Sequence, residues 1–210
     1  MNFSKLISYV FHPVFIPFIV LLTLFNFTPI LLNSSSDNFC IKSLYTLFFL
    51  VCTILPILTS IVLVKLKLIG SFEMHDNKDR LFPLIMNVIY LIVGGIFNNS
   101  CLNLFPFIKL FFIGLIMLTI FALVISFFWK ISLHTLAAGN MLAVFVSSNL
   151  LIENNLFLIF VALFFAVIIA FSRFNEGAHT IPQLILGLII GFCTQIFLLL
   201  NQSSIITSII

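Results

Sequence analysis

The chain has 210 residues, of which 62% are hydrophobic and only 7% charged, and its mean hydropathy is +1.33. A soluble domain carries about a quarter charged residues, so this chain lacks the side chains to solvate its own surface and a soluble globular fold is excluded. A net charge of +3 without a basic stripe excludes a nucleic-acid partner as well.

A helix needs about 20 apolar residues to cross the hydrocarbon core of a bilayer. Lys5 followed by a long apolar run has the outline of a signal peptide. The run is too long and no small-residue cleavage site follows, so it is expected to stay as a first span at roughly 11–32. Pro13 and Pro17 sit near its start, and NSSSDN at 33–38 reads as a turn. A second span is expected at roughly 41–64, kinked at Pro56. The longest polar stretch, 65–80, carries charges of both signs. A third span at roughly 82–97 opens with Pro83, and 98–106 reads as a loop. The fourth, roughly 107–128, closes on Trp129 and Lys130, residue types common at membrane interfaces. A fifth runs roughly 133–151, a sixth roughly 156–171, and a seventh from Thr180 to near Asn201. The expected fold is therefore an all-α integral membrane protein, a multi-pass bundle of about six to seven transmembrane helices, with 1–210 as a single transmembrane domain.

The four cysteines, Cys40, Cys52, Cys101 and Cys193, are scattered and form no CxxC pair. Neither a zinc site nor a disulfide framework is expected from them. The 28 phenylalanines run through the whole chain and read as apolar filler.

Alternating seven spans puts the N-terminus, 65–80, 129–133 and 172–179 on one face of the membrane. Seven of the nine Lys and Arg lie there: Lys5, Lys65, Lys67, Lys78, Arg80, Lys130 and Arg173. Some of these belong to a candidate site, so the positive-inside rule leaves the orientation open. The shared face matters more. It brings together Lys78, Arg80 and Pro83, then Ser132 and His134 at the mouth of the fifth span, then Ser172, Arg173 and His179 at the mouth of the seventh. Helix N-termini present free N–H groups that suit an anion such as phosphate. Arginine adds bidentate contacts to phosphate oxygens, and histidine can serve as nucleophile or general acid.

These residues carry a resemblance. SRFNEGAHTIPQ, 172–183, follows Ser-Arg, five residues, His, and ISLH, 131–134, keeps the Ser and His of Pro-Ser-Gly-His. KDRLFP, 78–83, keeps Lys, Arg and Pro at altered spacing. Over about 65–195 the chain resembles the type 2 phosphatidic acid phosphatase superfamily, the lipid phosphate phosphatases related to vanadium haloperoxidases. The resemblance implies that His179 attacks phosphorus, that His134 protonates the leaving oxygen, and that Arg173, Arg80, Lys78 and Ser132 hold the phosphoryl oxygens. It implies a lipid phosphate or polyprenyl pyrophosphate as substrate, no metal or other cofactor, and a location in the inner (plasma) membrane of a bacterium. The family's closing Asp, which orients the nucleophile, is Gln183 here. Glu176, Asp76 or Asp79 is an alternative partner for His179. A catalytically impaired relative that binds lipid phosphate head groups, or a structural membrane protein, is the alternative expectation.

Plainer roles stand beside these. Thr180 and Gln183 fit a capping box opening the seventh helix. His12 reads as an interface residue and His75 as part of a solvated loop. Asp76 and Asp79 would suit a metal only with a second Asp-rich loop, which the sequence lacks. No inverted repeat supports a transporter.

Overall fold

Residues 133–151 carry a histidine, two asparagines and two serines that lipid would penalise, and the rest of the chain packs so as to enclose them. The computed structural model describes residues 3–28, 31, 38–70 and 76–201. Among these, every regular element is helical: α1 (Phe3–Val10), α2 (Ile16–Phe27), α3 (Asn38–Lys65), α4 (Asn77–Phe97), α5 (Asn99–Leu104), α6 (Pro106–Ser126), α7 (Leu133–Leu151), α8 (Leu156–Asn175) and α9 (Ile181–Leu200). Five of them, α3, α4, α6, α8 and α9, are long and apolar enough to cross a membrane. The protein is thus an all-helical membrane protein.

Several boundaries depart from the sequence expectation. The first span shrinks to the 12 residues of α2, because 11–15 turn ahead of it around Pro13. Ahead of that turn the chain forms a separate helix, α1. The expected turn at 33–38 and His75 lie outside the described residues, except for Asn38, which opens α3. Pro56 cannot donate to the helix ladder and its ring crowds the preceding turn. The chain answers with a widened π-helical stretch, Phe49–Ile54, immediately before it. α4 starts at Asn77, so Lys78, Asp79 and Arg80 form its first turn and not a loop. α8 continues to Asn175, which puts Ser172 and Arg173 on its last turns.

The cysteines also correct the expectation. Cys40, at the start of α3, and Cys101, in α5, form a disulfide across 61 residues of sequence. The Ser43 hydroxyl donates to Asn98 Oδ1 at 2.5 Å, a second tie between the same two segments.

α7 lies in the middle, packed on α9, α8 and α2. Its closeness to α9 depends on small residues. A side chain at Gly139 would start 2.2 Å from the Leu188 carbonyl oxygen, and one at Gly191 would start 2.1 Å from that of Leu136. Without glycines there the backbones could not approach so closely. α6 covers the other flank of α9. Phe48, Phe111 and Phe112 fill the space between α3 and α6 with rings 5.4 Å apart. The outer faces are also apolar. Phe160, Phe164, Val167, Phe171 and Phe174 form one exposed row on α8, and Ile85, Ile89, Ile92 and Ile96 form another on α4. Rows this long would aggregate in water, and in a bilayer they meet acyl chains.

Candidate functional site

The last turn of α8 ends in a glycine-closed cap. Gly177 has φ +63 and follows Glu176, the C-cap residue. The Gly177 N–H donates to the Phe174 carbonyl at 2.9 Å and the Ala178 N–H donates to that of Arg173 at 3.3 Å. This Schellman arrangement needs a residue comfortable at positive φ. It folds the chain back so that His179, buried at 6% exposure, points into the bundle ahead of α9.

Gln183 then fixes the ring. Its side-chain oxygen accepts the Thr180 backbone N–H at 3.1 Å, the Gln half of a capping box. The same oxygen lies 3.1 Å from His179 Nδ1. An amide oxygen only accepts, so Nδ1 carries the proton and Nε2 keeps its lone pair. The capping role and the orienting role of Gln183 coexist in one atom. Burial first, and then the Arg80 cation, hold His179 down from 6.5 to about 4, with Arg173 and Lys130 adding to the effect and the Gln183 bond opposing it. The imidazole is neutral at pH 7.

Arg80 projects from the first turn of α4 and is 5% exposed. Its Nη1 donates to the Ile131 carbonyl at 2.7 Å, in the segment just before α7. Arg173 pairs with Glu176 at 2.5 Å. That pairing corrects the idea that Glu176 orients His179, because the carboxylate is committed elsewhere. It also accepts the Ser8 hydroxyl at 2.7 Å. Asp79 accepts the Gly70 N–H at 3.2 Å, and Asp76 is exposed. Lys130 is shifted downward by burial and by Arg80 and Arg173, with Asp76 opposing.

His134, in the first turn of α7, is buried, and its Nε2 donates to the Ser8 carbonyl at 3.2 Å, leaving Nδ1 unprotonated in the neutral ring. Its ring meets that of His12 edge-on, with centroids 5.4 Å apart. Sequence reasoning took His12 for an interface residue, whereas it lines the same cavity as His134 and His179. Only the presence of a third histidine on the same predicted face hinted at this.

α1 ties these parts together, and the sequence reading missed it. Ser4 and Ser8 fall one turn apart on a single face. Ser172 donates its hydroxyl proton to the Ser4 carbonyl at 2.6 Å, and the Ser8 and Ser172 hydroxyls lie 3.0 Å apart. The Ser-Arg pair at 172–173 thus divides its labour: Ser172 holds α1 while Arg173 faces the cavity. Ser132 is placed differently from expectation. It is fully buried, caps α7 by accepting the Thr135 N–H at 3.4 Å, and does not line the cavity. Lys78 is exposed and likewise does not line it.

The cavity itself holds about 380 Å³. One end is formed by His12, Arg80, His134, Arg173 and His179. From there it runs between helices past Leu84, Leu91, Leu115, Leu118 and Ala122. Its wall also carries Asn87 and Asn140, whose buried Oδ1 atoms have no hydrogen-bond partner among the described residues. Two guanidinium groups at the end of an apolar slot suit an amphiphile with an anionic head. No cluster of three or more His, Cys, Asp or Glu able to hold a metal occurs among the described residues. Compared with family models, curated proteins and solved structures, the chain matches nothing.

Proposed function

We propose that this protein is a membrane-embedded hydrolase of lipid phosphates, acting on a phosphomonoester or pyrophosphate of a lipid or polyprenyl carrier through a histidine nucleophile. One observation carries the reading: Arg80, Arg173, His134 and a neutral His179 meet at the end of an apolar cavity inside a membrane bundle. The lipid chain occupies the slot and the phosphate sits between the two arginines. Nε2 of His179 attacks phosphorus as the bond to the lipid oxygen breaks, giving a phosphohistidine. A phosphate monoanion brings the proton that the leaving oxygen requires, since its second ionisation lies near pH 6. His134 Nδ1 takes that proton and returns it to the leaving oxygen. Water then attacks the phosphohistidine, releasing inorganic phosphate and restoring His179. Arg80 and Arg173 stabilise the charge that develops on the phosphoryl oxygens. The resemblance to the type 2 phosphatidic acid phosphatases supports this assignment of roles.

The reading extends to seven crossings, with α2 and the polar α7 counted beside the five long apolar helices, and it keeps the bacterial plasma membrane as the location. Phosphate release by the purified protein from phosphatidic acid, phosphatidylglycerol phosphate and polyprenyl pyrophosphate in detergent tests it. Turnover is expected with wild type, and His179→Ala is expected to fall to the uncatalysed background. Equal release by both proteins sinks the enzyme reading.

A second reading has its own support. Gln183 brings no negative charge to an imidazolium, and Ser132 and Lys78 stand away from the cavity. These features favour a protein that binds lipid phosphate heads without turning them over. Retained binding with no release in the same assay identifies that case.

A further inference from the structure

We propose that the histidine–arginine end of the cavity opens to the cytosol, so that its lipid comes from the cytoplasmic leaflet. The orientation stands on its own observations, and only the identity of the lipid rests on the function proposed above.

The first observation is the disulfide. α4 rises about 1.5 Å per residue, so Arg80 in its first turn and Phe97 at its end are about 25 Å apart along the axis. Cys101 follows Phe97 by four residues and is bonded to Cys40. The disulfide and the Arg80 cluster therefore sit at opposite ends of a membrane-long helix. Disulfides persist where the compartment is oxidising, and thiols facing the cytosol are kept reduced. The Cys40–Cys101 end thus faces away from the cytosol. The remaining cysteines, Cys52 and Cys193, are free.

The second observation is charge. Setting aside Arg80 and Arg173, whose charges belong to the cavity, Lys5, Lys65, Lys67, Lys78 and Lys130 lie at the cavity end, against Lys42 and Lys109 at the disulfide end. Short basic segments stay in the cytosol. Redox chemistry and charge bias are unrelated signals, and both put the cavity mouth on the same side. The phosphate of a cytoplasmic-leaflet lipid would enter there, and the product phosphate would return to the cytosol.

The test is thiol labelling of the full-length protein in bacterial cells, in a Cys193→Ser background. Asn175→Cys lies at the cavity end and Asn154→Cys at the other, both exposed. A membrane-impermeant maleimide is expected to label Asn154→Cys in intact cells at least 10-fold more than Asn175→Cys, with Asn175→Cys labelling fully once the membrane is opened. The reverse pattern overturns the proposal. Lys65→Cys and Asn201→Cys give a second pair for the same comparison should either of the first fail to accumulate. Thiol counting with a maleimide-linked polymer on denatured wild type tests the premise separately. Two adducts are expected without reductant and four after reduction; four without reductant removes the disulfide and overturns the argument. None of these readouts involves phosphate release, so an inactive enzyme and an inverted topology give distinguishable results.

Discussion

Gln183 uses one oxygen to cap α9 and to hold His179 in the tautomer that leaves Nε2 bare. What it lacks is charge. In serine proteases an Asp-to-Asn change at the group that orients histidine costs roughly 10⁴ in rate. Gln183→Asp is therefore expected to raise the rate of phosphate release, by about 10²-fold or more, without changing where the ring sits. No gain at any pH would count against a histidine nucleophile. The depressed His179 has a consequence for acid stability. The unfolded chain takes up this proton near 6.5 and the folded chain only near 4. Below 6.5 the unfolded state binds more protons, so the stability contributed by the neutral ring is lost as pH falls from about 6.5 to about 4. Melting in detergent should show that decline, and His179→Gln should flatten it. At this scale the sequence was informative where ionisable side chains cluster at the ends of apolar runs, which is why Arg80, His134, Arg173 and His179 could be named from it. It was uninformative where one residue type serves two ends. Ser132 has the chemistry of a phosphate ligand and of a helix cap alike, and only burial separates them.

The elements carry a different lesson about legibility. Hydropathy marks the portion of a helix that lies in lipid and stops there. It therefore missed the polar first turn of α4 and the polar last turns of α8, the turns that deliver Arg80 and Arg173. It also assigned no helix to 3–10, ahead of the span expected at 11–32, where α1 forms. α1 is held to the bundle by Ser172 and Ser8. Losing one buried side-chain hydrogen bond costs about 1–3 kcal/mol when its partner is left unsatisfied. Ser172→Ala is expected to loosen α1 by that order, read as faster amide exchange over 4–10 with little change in α9. The α7–α9 contact is less forgiving. A methyl group at Gly191 would meet backbone and not a flexible side chain. Gly191→Ala is expected to destabilise the bundle by about 1–3 kcal/mol, as overpacking does, measured by denaturation in detergent against Gly70→Ala as a loop control, where an added methyl meets only the Asp79 carboxylate at 3.4 Å.

For the whole molecule, the all-helical membrane class was readable, because the long apolar runs are bounded by polar residues. The pairing of Cys40 with Cys101 was not. A separation of 61 residues carries no spacing signal, and only the return of α4 to the end where α3 begins brings the two together. The cavity was equally hidden. Its wall is assembled from α1, α2, α3, α4, α6, α7 and α8, and no local stretch of sequence contains it. Its charged end and its apolar body are each assembled from several helices, so an amphiphile bridging them ties the bundle together. A lipid phosphate is accordingly expected to raise the melting temperature of wild type, and Arg80→Ala to abolish the shift produced by the phosphate head while keeping part of that produced by the chain.

The polar character of α7 bears on how the protein is made. His134, Asn140, Ser147, Ser148 and Asn149 leave α7 off the set of helices apolar enough to cross on their own. A translocating ribosome delivers α7 before α9, the partner that buries it most extensively. Until α9 emerges, those side chains have no settled place in the bilayer, since insertion depends on the summed preference of each residue for lipid. The burial of α7 thus depends on a helix that follows it by about thirty residues: a chain truncated after α8 is expected to be cut by protease within 133–151, and a chain that includes α9 to resist.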